Sequence, residues 1–295
     1  MNLKKVSKLK RNDFKWIYLF LLPSILVFVL FNLIPIVTVG VTAFTEWNGF
    51  ALPSFNGLEN FTNLFANRAF WVSTKNLLLW SFLAAVVHVG FGVIIAFILY
   101  EKPAGWKFTR SVFMIPNIIS GAAWAVIFRF MFDNRMGLFN GIVRIFNPNF
   151  DVQWLTVSPY AFWSVTLTWL FFAVIVTLIV LNELLAIPSS LIEAAEIDGA
   201  TKWQIIFKIQ LPMSRKAIGT SVIASITARV TMYEAIALTT NGGPGYDTMN
   251  LPLMLVDSIT NLKYGTANAV GLLMIVYGIV TLLVVNKLFK MNEEL

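Results

Sequence analysis

The 295-residue chain contains no cysteine and one histidine, His88. The first absence excludes a disulfide framework, thiolate chemistry and any cysteine-based zinc site; the second leaves no histidine cluster for a metal. Charge is scarce as well: 13% of residues are Asp, Glu, Lys or Arg, against 58% hydrophobic. Soluble domains carry roughly a quarter charged residues, so this deficit rules out an ordinary soluble fold. There is no G-x-x-x-x-G-K-[ST] stretch to cradle nucleotide phosphates, and no solenoid-length repeat or low-complexity linker.

What the chain has instead is apolar runs of about 20 residues, each able to span a bilayer. Hydropathy patterning predicts an all-α polytopic membrane protein with six transmembrane helices, at about 17–44, 77–100, 111–132, 159–182, 217–238 and 266–288. The basic N-terminal segment followed by a long apolar run reads as a cytoplasmic tail (1–16) and a retained first helix rather than a cleaved signal, because the run is too long for a signal core and no small-residue cleavage site follows it. Of the 22 Lys and Arg residues, fifteen fall on the side that holds both termini and the loops after the second and fourth spans. Five fall on the other side and two within spans. This asymmetry places both termini in the cytoplasm, and it accounts for the net charge of +7 without a nucleic-acid partner.

One cytoplasmic loop, 187–212, is unusually punctuated. Pro188 stops the fourth span. Ser190-Leu191-Ile192-Glu193 has the form of a capping box opening a short helix, Asp198-Gly199 the form of a turn, and Thr201 with Gln204 a second capping box. Leu211-Pro212 is expected to end the second helix. Local physics allows an amphipathic connector resting on headgroups, or a rigid knob presented to a partner.

Glu193-Ala194-Ala195-x-x-Asp198-Gly199-Ala200, followed by Ile209-Gln210-Leu211-Pro212, resembles the EAA loop of permease subunits of bacterial binding-protein-dependent ABC importers. Asn241-Gly242-Gly243-Pro244 is similar to the LT-x-GGP segment of the sugar-importing branch, with Thr239 where Leu is usual. Tyr264-Gly265-x-Ala267, Asn76-Leu77 and Arg110-Ser111-x-Phe113-Met114-Ile115-Pro116 also fit, so that the likeness covers about 73–288. It implies a type I ABC importer permease fold in the bacterial inner (cytoplasmic) membrane: 17–72 an additional first helix and outer loop, 73–288 the five-helix core, 289–295 a cytoplasmic end. It further implies a transporter subunit rather than an enzyme. Its implied partners are a homologous second permease subunit, two ATPase subunits, an extracellular substrate-binding protein and the lipid bilayer. No cofactor is expected in this chain; ATP and magnesium would be used by the ATPase. Glu193, Ala194, Ala195, Asp198, Gly199 and Ala200 would form the ATPase-coupling site, and alternating access would carry a sugar or oligosaccharide inward.

Candidates for the substrate pathway are polar or aromatic residues within spans, since a charge at the bilayer centre costs about 2.5–3.5 kcal/mol on insertion scales. In the fifth span Ser225, Arg229 and Met232 share one helical face, and Thr227, Thr231 and Glu234 another. The resemblance maps sugar contacts onto Ser225, Arg229 and Met232. Trp169, Phe171 and Phe172 of the fourth span offer aromatic faces to a sugar ring, with lipid contact or packing as the plainer role. Many relatives carry a short polar residue at the place of Arg229, so a charged polyol or sugar derivative such as glycerol phosphate is the alternative cargo. Arg229 and Glu234, five apart, are poorly placed for an ion pair on one straight helix, and pairing with another span or subunit stays open. His88 reads as a packing residue before a proton relay, and Pro116, near Asn117 and Ser120, as a local helix break. A stand-alone secondary transporter is the rival class, with Glu234 and His88 as its only suggestive groups and no purpose for the punctuated loop.

Overall fold

A computed structural model describes residues 11–293; the first ten residues of the expected tail and the last two of the chain lie outside it. The protein is almost wholly helical, with one minimal hairpin pairing β1 (Thr45–Glu46) and β2 (Ser54–Phe55). Three helices are long and apolar enough to cross a membrane: α1 (Lys15–Thr42), α3 (Arg68–Tyr100) and α14 (Tyr264–Leu288). Between α1 and α3 lies the short α2 (Glu59–Ala66). No residue of the most apolar window of α1 is buried by protein, a surface that only a lipid solvent accommodates.

Of the six spans expected from hydropathy, three to five are carried by helix length and composition among the described residues, and the break expected at Pro116 is present. The third expected span is two helices, α4 (Trp106–Ile118) and α5 (Gly121–Met131), bent by 102°. Pro116 sits in a tight 3₁₀ turn that ends at an extended Ile119, and Ser120 restarts the helix by accepting a bond from the Ala123 amide. After the outer helix α6 (Leu138–Arg144), the fourth span is likewise broken. Residues 168–173 separate α7 (Tyr160–Leu167) from α8 (Val174–Ala186). The fifth, α11 (Arg215–Val230), stops eight residues short of the expected end; Thr231–Tyr233 are irregular and α12 (Glu234–Ala237) follows. A further short apolar helix, α13 (Leu251–Thr260), precedes α14 and has no counterpart among the expected spans. Hydropathy averages over a window and registers composition, so breaks within an apolar run are invisible to it.

Polar residues fasten these elements. Asn60 of α2 donates to the carbonyls of Ala43 and Thr45, both at 2.9 Å, and Thr266 donates to its side-chain oxygen at 3.2 Å. The Thr42 hydroxyl accepts from Asn268 at 2.7 Å, and the Trp47 carbonyl accepts the Tyr264 amide at 2.9 Å. Gly265 backs onto the Thr45 carbonyl so closely that no Cβ fits there. The end of α1 is thus clasped to the start of α14. Asn76 holds the 240–250 loop by donating to the carbonyls of Asp247 and Met249, each at 2.9 Å. Gly92 lets α8 lie against α3: a Cβ there would come within 2.6 Å of Val176.

Candidate functional site

Of the three devices expected in the 187–212 loop, the turn at Gly199 and the second capping box are present and the first capping box is not. Helix α9 (Ser189–Ile197) begins two residues earlier than the Leu191 start expected from a Ser190 cap, capped by Pro188 with no side-chain bond. The Ser190–Glu193 capping box does not form: a chain leaving a proline in extended conformation enters the helix at Ser189, so Ser190 is already a helical residue and cannot serve as cap. At the far end Gly199 takes φ +80°, its amide donating to Glu196 O at 3.0 Å and that of Ala200 to Ala195 O at 2.9 Å. This pair of bonds closes the helix as a Schellman motif, which requires the left-handed conformation that glycine adopts at least cost. The second capping box is present: the Gln204 side chain accepts the Thr201 amide at 2.7 Å and the Thr201 hydroxyl accepts the Gln204 amide.

From Thr201 the helix runs on to Met213 instead of ending at Leu211-Pro212. A π-turn at Ile206–Gln210 precedes Pro212, and this wider turn takes in a residue that has no amide hydrogen to donate. Along α9 and its turn, Glu193, Ala194, Asp198 and Gly199 are exposed while Ala195 and Ala200 are half-buried. Glu193 makes no hydrogen bond or ion pair among the described residues. Ile197, Trp203 and Phe207 are also exposed, at 87%, 69% and 61%, and the two rings stack at 5.9 Å. Lys202 bonds to Glu101 at the end of α3 over 3.0 Å, an exposed pair of small energetic weight.

The broken spans meet around a cavity of about 520 Å³. Ser225, Arg229, Met232, Glu234, Trp169 and Phe172 all line it, so these six candidates come to one place, whereas Phe171 does not line it. They arrive differently from what one straight helix implies. Ser225 and Arg229 project from α11, whereas Met232 lies beyond the helix end and Glu234 opens α12. Thr231 and Glu234 line the cavity and Thr227 does not. Tyr233, part of the polar run of the fifth span, is also in the wall, as is Trp124, which was not singled out by sequence.

The cavity exists because the fourth span is broken. Its exposed carbonyls find partners from neighbouring helices: Trp124 Nε1 donates to Thr168 O at 2.7 Å, and His88 Nδ1 bonds to Leu170 O at 3.0 Å. His88 sits in a π-turn of α3, Ala84–His88, which swings its ring toward the break. Non-helical backbone at membrane depth is tolerated where such partners exist.

Arg229 and Glu234 do not pair. The Arg229 guanidinium lies over the Trp169 ring, 4.0 Å from its centroid, and His88 meets the same indole edge-on at 5.9 Å. Arg229 Nη1 approaches only the Met232 thioether, at 3.7 Å. Its Nε is buried without a partner, as is Trp169 Nε1. The Glu234 carboxylate rests instead against Gly121, the first residue of α5, where the helix dipole favours negative charge and a Cβ would have no room. Trp169 is therefore occupied by Arg229 and His88, while Phe172, packed edge-on against Trp124 at 4.8 Å, keeps a third of its surface open.

Residues 88–293 match the family described as the binding-protein-dependent transport system inner membrane component. The chain is 31% identical over 284 residues to the probable ABC transporter permease protein YurN of Bacillus subtilis, covering 94% of this chain and 97% of that one. It is 29% identical over 273 residues to the trehalose/maltose transport system permease protein MalF of Thermococcus litoralis, covering 90% and 91%. In fold it superimposes on a chain from the crystal structure of a bacterial ABC transporter involved in alginate import with a TM-score of 0.81, at 22% identity and 95% and 97% coverage. With its motifs, its broken spans and the match over most of its length, the chain belongs to the family of multi-pass inner membrane components of binding-protein-dependent ABC transport systems.

Proposed function

We propose that this chain is a permease subunit of an ATP-driven importer that passes a sugar or oligosaccharide, handed over by an extracellular binding protein, through the cavity at Ser225–Glu234. The observation that carries this reading is the convergence of these six candidate pathway residues on a single cavity formed where spans are broken. A closed bundle would need no such breaks, and a site built from interrupted helices provides the backbone and side-chain polarity a hydroxylated cargo requires. Relatives with sugar-transport names, MalF among them, point to the same cargo class.

Coupling is assigned to Glu193, Ala194, Ala195, Asp198, Gly199 and Ala200. The Schellman closure makes α9 a rigid knob, and the small Ala194 and Ala195 allow a groove to approach closely. Glu193, free of any bond among the described residues, has its carboxylate available to a basic residue of an ATPase subunit. Two such ATPases would use ATP and magnesium, and a homologous second permease subunit would complete the pathway. Both termini lie in the cytoplasm in this arrangement, with six crossings counted through the broken helices.

Reconstitution tests the reading. Purified together with its second subunit, the ATPase pair and the binding protein in proteoliposomes, the chain is expected to support sugar uptake that requires ATP. Uptake by the chain alone, without ATPase, would establish the stand-alone transporter instead.

A further inference from the structure

We infer that the cargo of this importer carries an anionic group, carboxylate or phosphate, which Arg229 receives inside the cavity. The inference rests on the saccharide-importer reading above and narrows it.

The argument begins from charge balance. A guanidinium is charged at every accessible pH, and within a membrane protein it is ordinarily matched by a carboxylate or by backbone carbonyls. Among the described residues no carboxylate lies within ion-pair distance of Arg229. The one acidic side chain in the same wall, Glu234, is already placed at the start of α5. Of the carbonyls freed by the break at 168–173, Thr168 O is bonded to Trp124 and Leu170 O to His88, and among the described residues no carbonyl accepts a bond from the Arg229 side chain.

Arg229 is therefore surrounded by an indole face, a thioether and other donors. Two buried N–H groups beside one another, Arg229 Nε and Trp169 Nε1, have no acceptor at all. This corner of the cavity has an excess of donors and a surplus positive charge, and its deficit is of anionic oxygen. A neutral hydroxylated sugar supplies weak acceptors but leaves the charge unmatched, whereas a carboxylate or phosphate supplies both. The stack on Trp169, itself backed by His88, holds the planar fork in a defined orientation, so that it can meet a planar or tetrahedral oxyanion without first being ordered. Trp169 and His88 are positioning residues in this scheme, and Arg229 is the contact.

The test uses the complete importer in proteoliposomes, with uptake measured for three probes: a galacturonate oligosaccharide, glucose 6-phosphate and maltotetraose. The wild-type complex is expected to take up one of the two anionic probes in preference to maltotetraose, the preferred one identifying carboxylate or phosphate as the group recognised. Arg229→Gln is expected to lower that uptake about tenfold or more, with Arg229→Lys intermediate because it keeps charge without the fork. Thermal unfolding of the assembled complex separates a structural role: Arg229→Met, which fills the site without charge, should unfold no earlier than wild type. Preference for maltotetraose, matched by Arg229→Gln, overturns the inference. So does an earlier midpoint in Arg229→Met with anionic uptake retained, which would assign Arg229 to a brace against the second subunit. Uptake of none of the three by an assembled, ATP-hydrolysing complex overturns the saccharide reading itself, and the two failures are thereby distinguished.

Discussion

Arg229 lies face-on to Trp169, its guanidinium carbon 4.0 Å from the ring centroid, although the two residues come from different broken spans. Each accounts for the other's position: the indole gives an unpaired cation a polarisable surface, and the cation covers an aromatic face that lacks apolar packing on that side. Trp169→Phe should keep part of this contact, and Trp169→Ala should remove it. Because Trp169 is 7% exposed, the alanine variant is expected to lose stability on the order of 3 kcal/mol from the void left behind, with a clearly smaller loss for phenylalanine. Thermal unfolding of the detergent-solubilised complex measures both, and equal losses would show that the stack contributes nothing.

His88 offers a second check on the broken fourth span. Its bond to Leu170 O satisfies a carbonyl that helix geometry has abandoned. His88→Ala should leave that oxygen unpaired at a cost of about 1–3 kcal/mol, whereas His88→Gln, which retains a donor, should recover part of it. Hydrogen exchange across 168–177 is the direct measurement: faster exchange is expected in the alanine variant. Unchanged exchange would mean that the break is held by other contacts.

Gly199 should tolerate added volume but not a changed backbone. Nothing lies within 4 Å of a Cβ built there, and φ is +80°. Gly199→Ala is therefore expected to cost about 1 kcal/mol through strain alone, and Gly199→Asn less, since asparagine enters the left-handed region more readily. If α9 transmits ATPase closure, Gly199→Val should sever transport from ATP hydrolysis while membrane insertion persists. Wild-type uptake in that variant would remove the loop from the coupling path.

Asn60 contributes two of the bonds in the clasp on the first span. Asn60→Asp exchanges two donated bonds for a carboxylate facing the Ala43 and Thr45 carbonyls. A loss of roughly 2–3 kcal/mol is expected, from two unsatisfied acceptors and their repulsion with the new charge. Limited proteolysis between α1 and α2 should accelerate; the remaining described core should stay protected.

In the outer loop, Asp133 accepts the amides of Met136 and Arg135 at 2.8 and 2.9 Å. These bonds, the Met136 amide first, hold its carboxyl below the ordinary 3.8. A depressed carboxylate pKa contributes local stability that is present above the ordinary value and lost as pH falls through the lowered one. The 133–137 turn should therefore exchange amide hydrogens faster below about pH 4, and Asp133→Asn should reduce that dependence. A pH-independent turn in the wild type would show that the two amides do not discriminate between protonation states.

The local shape of the 187–212 loop was legible in the sequence because its signals are local. Thr201 with Gln204 and the glycine at 199 act on their own few residues of backbone, and both devices are present in the structure. The Ser190 capping box failed for the same reason: a proline two residues earlier set where the helix began, and a four-residue motif does not register that competition. The apolar runs likewise announced membrane-crossing character, because a bilayer selects on composition summed over about 20 residues.

Pro116 announced the break at 119–120, whereas composition could not reveal those at 168–173 and 231–233. A broken helix survives only if other elements supply partners for its freed carbonyls, and those partners, Trp124 and His88, are 44 and 82 residues distant in sequence. The residues of the cavity wall were therefore nameable from sequence as polar or aromatic anomalies within spans. Only tertiary structure decided that they share one cavity, that Glu234 rests at the start of α5 instead of pairing with Arg229, and that Arg229 stands without an acidic neighbour. Local backbone chemistry and the bilayer's demand for apolar length are written along the chain, whereas charge balance and the satisfaction of freed carbonyls depend on which distant segments come to lie side by side.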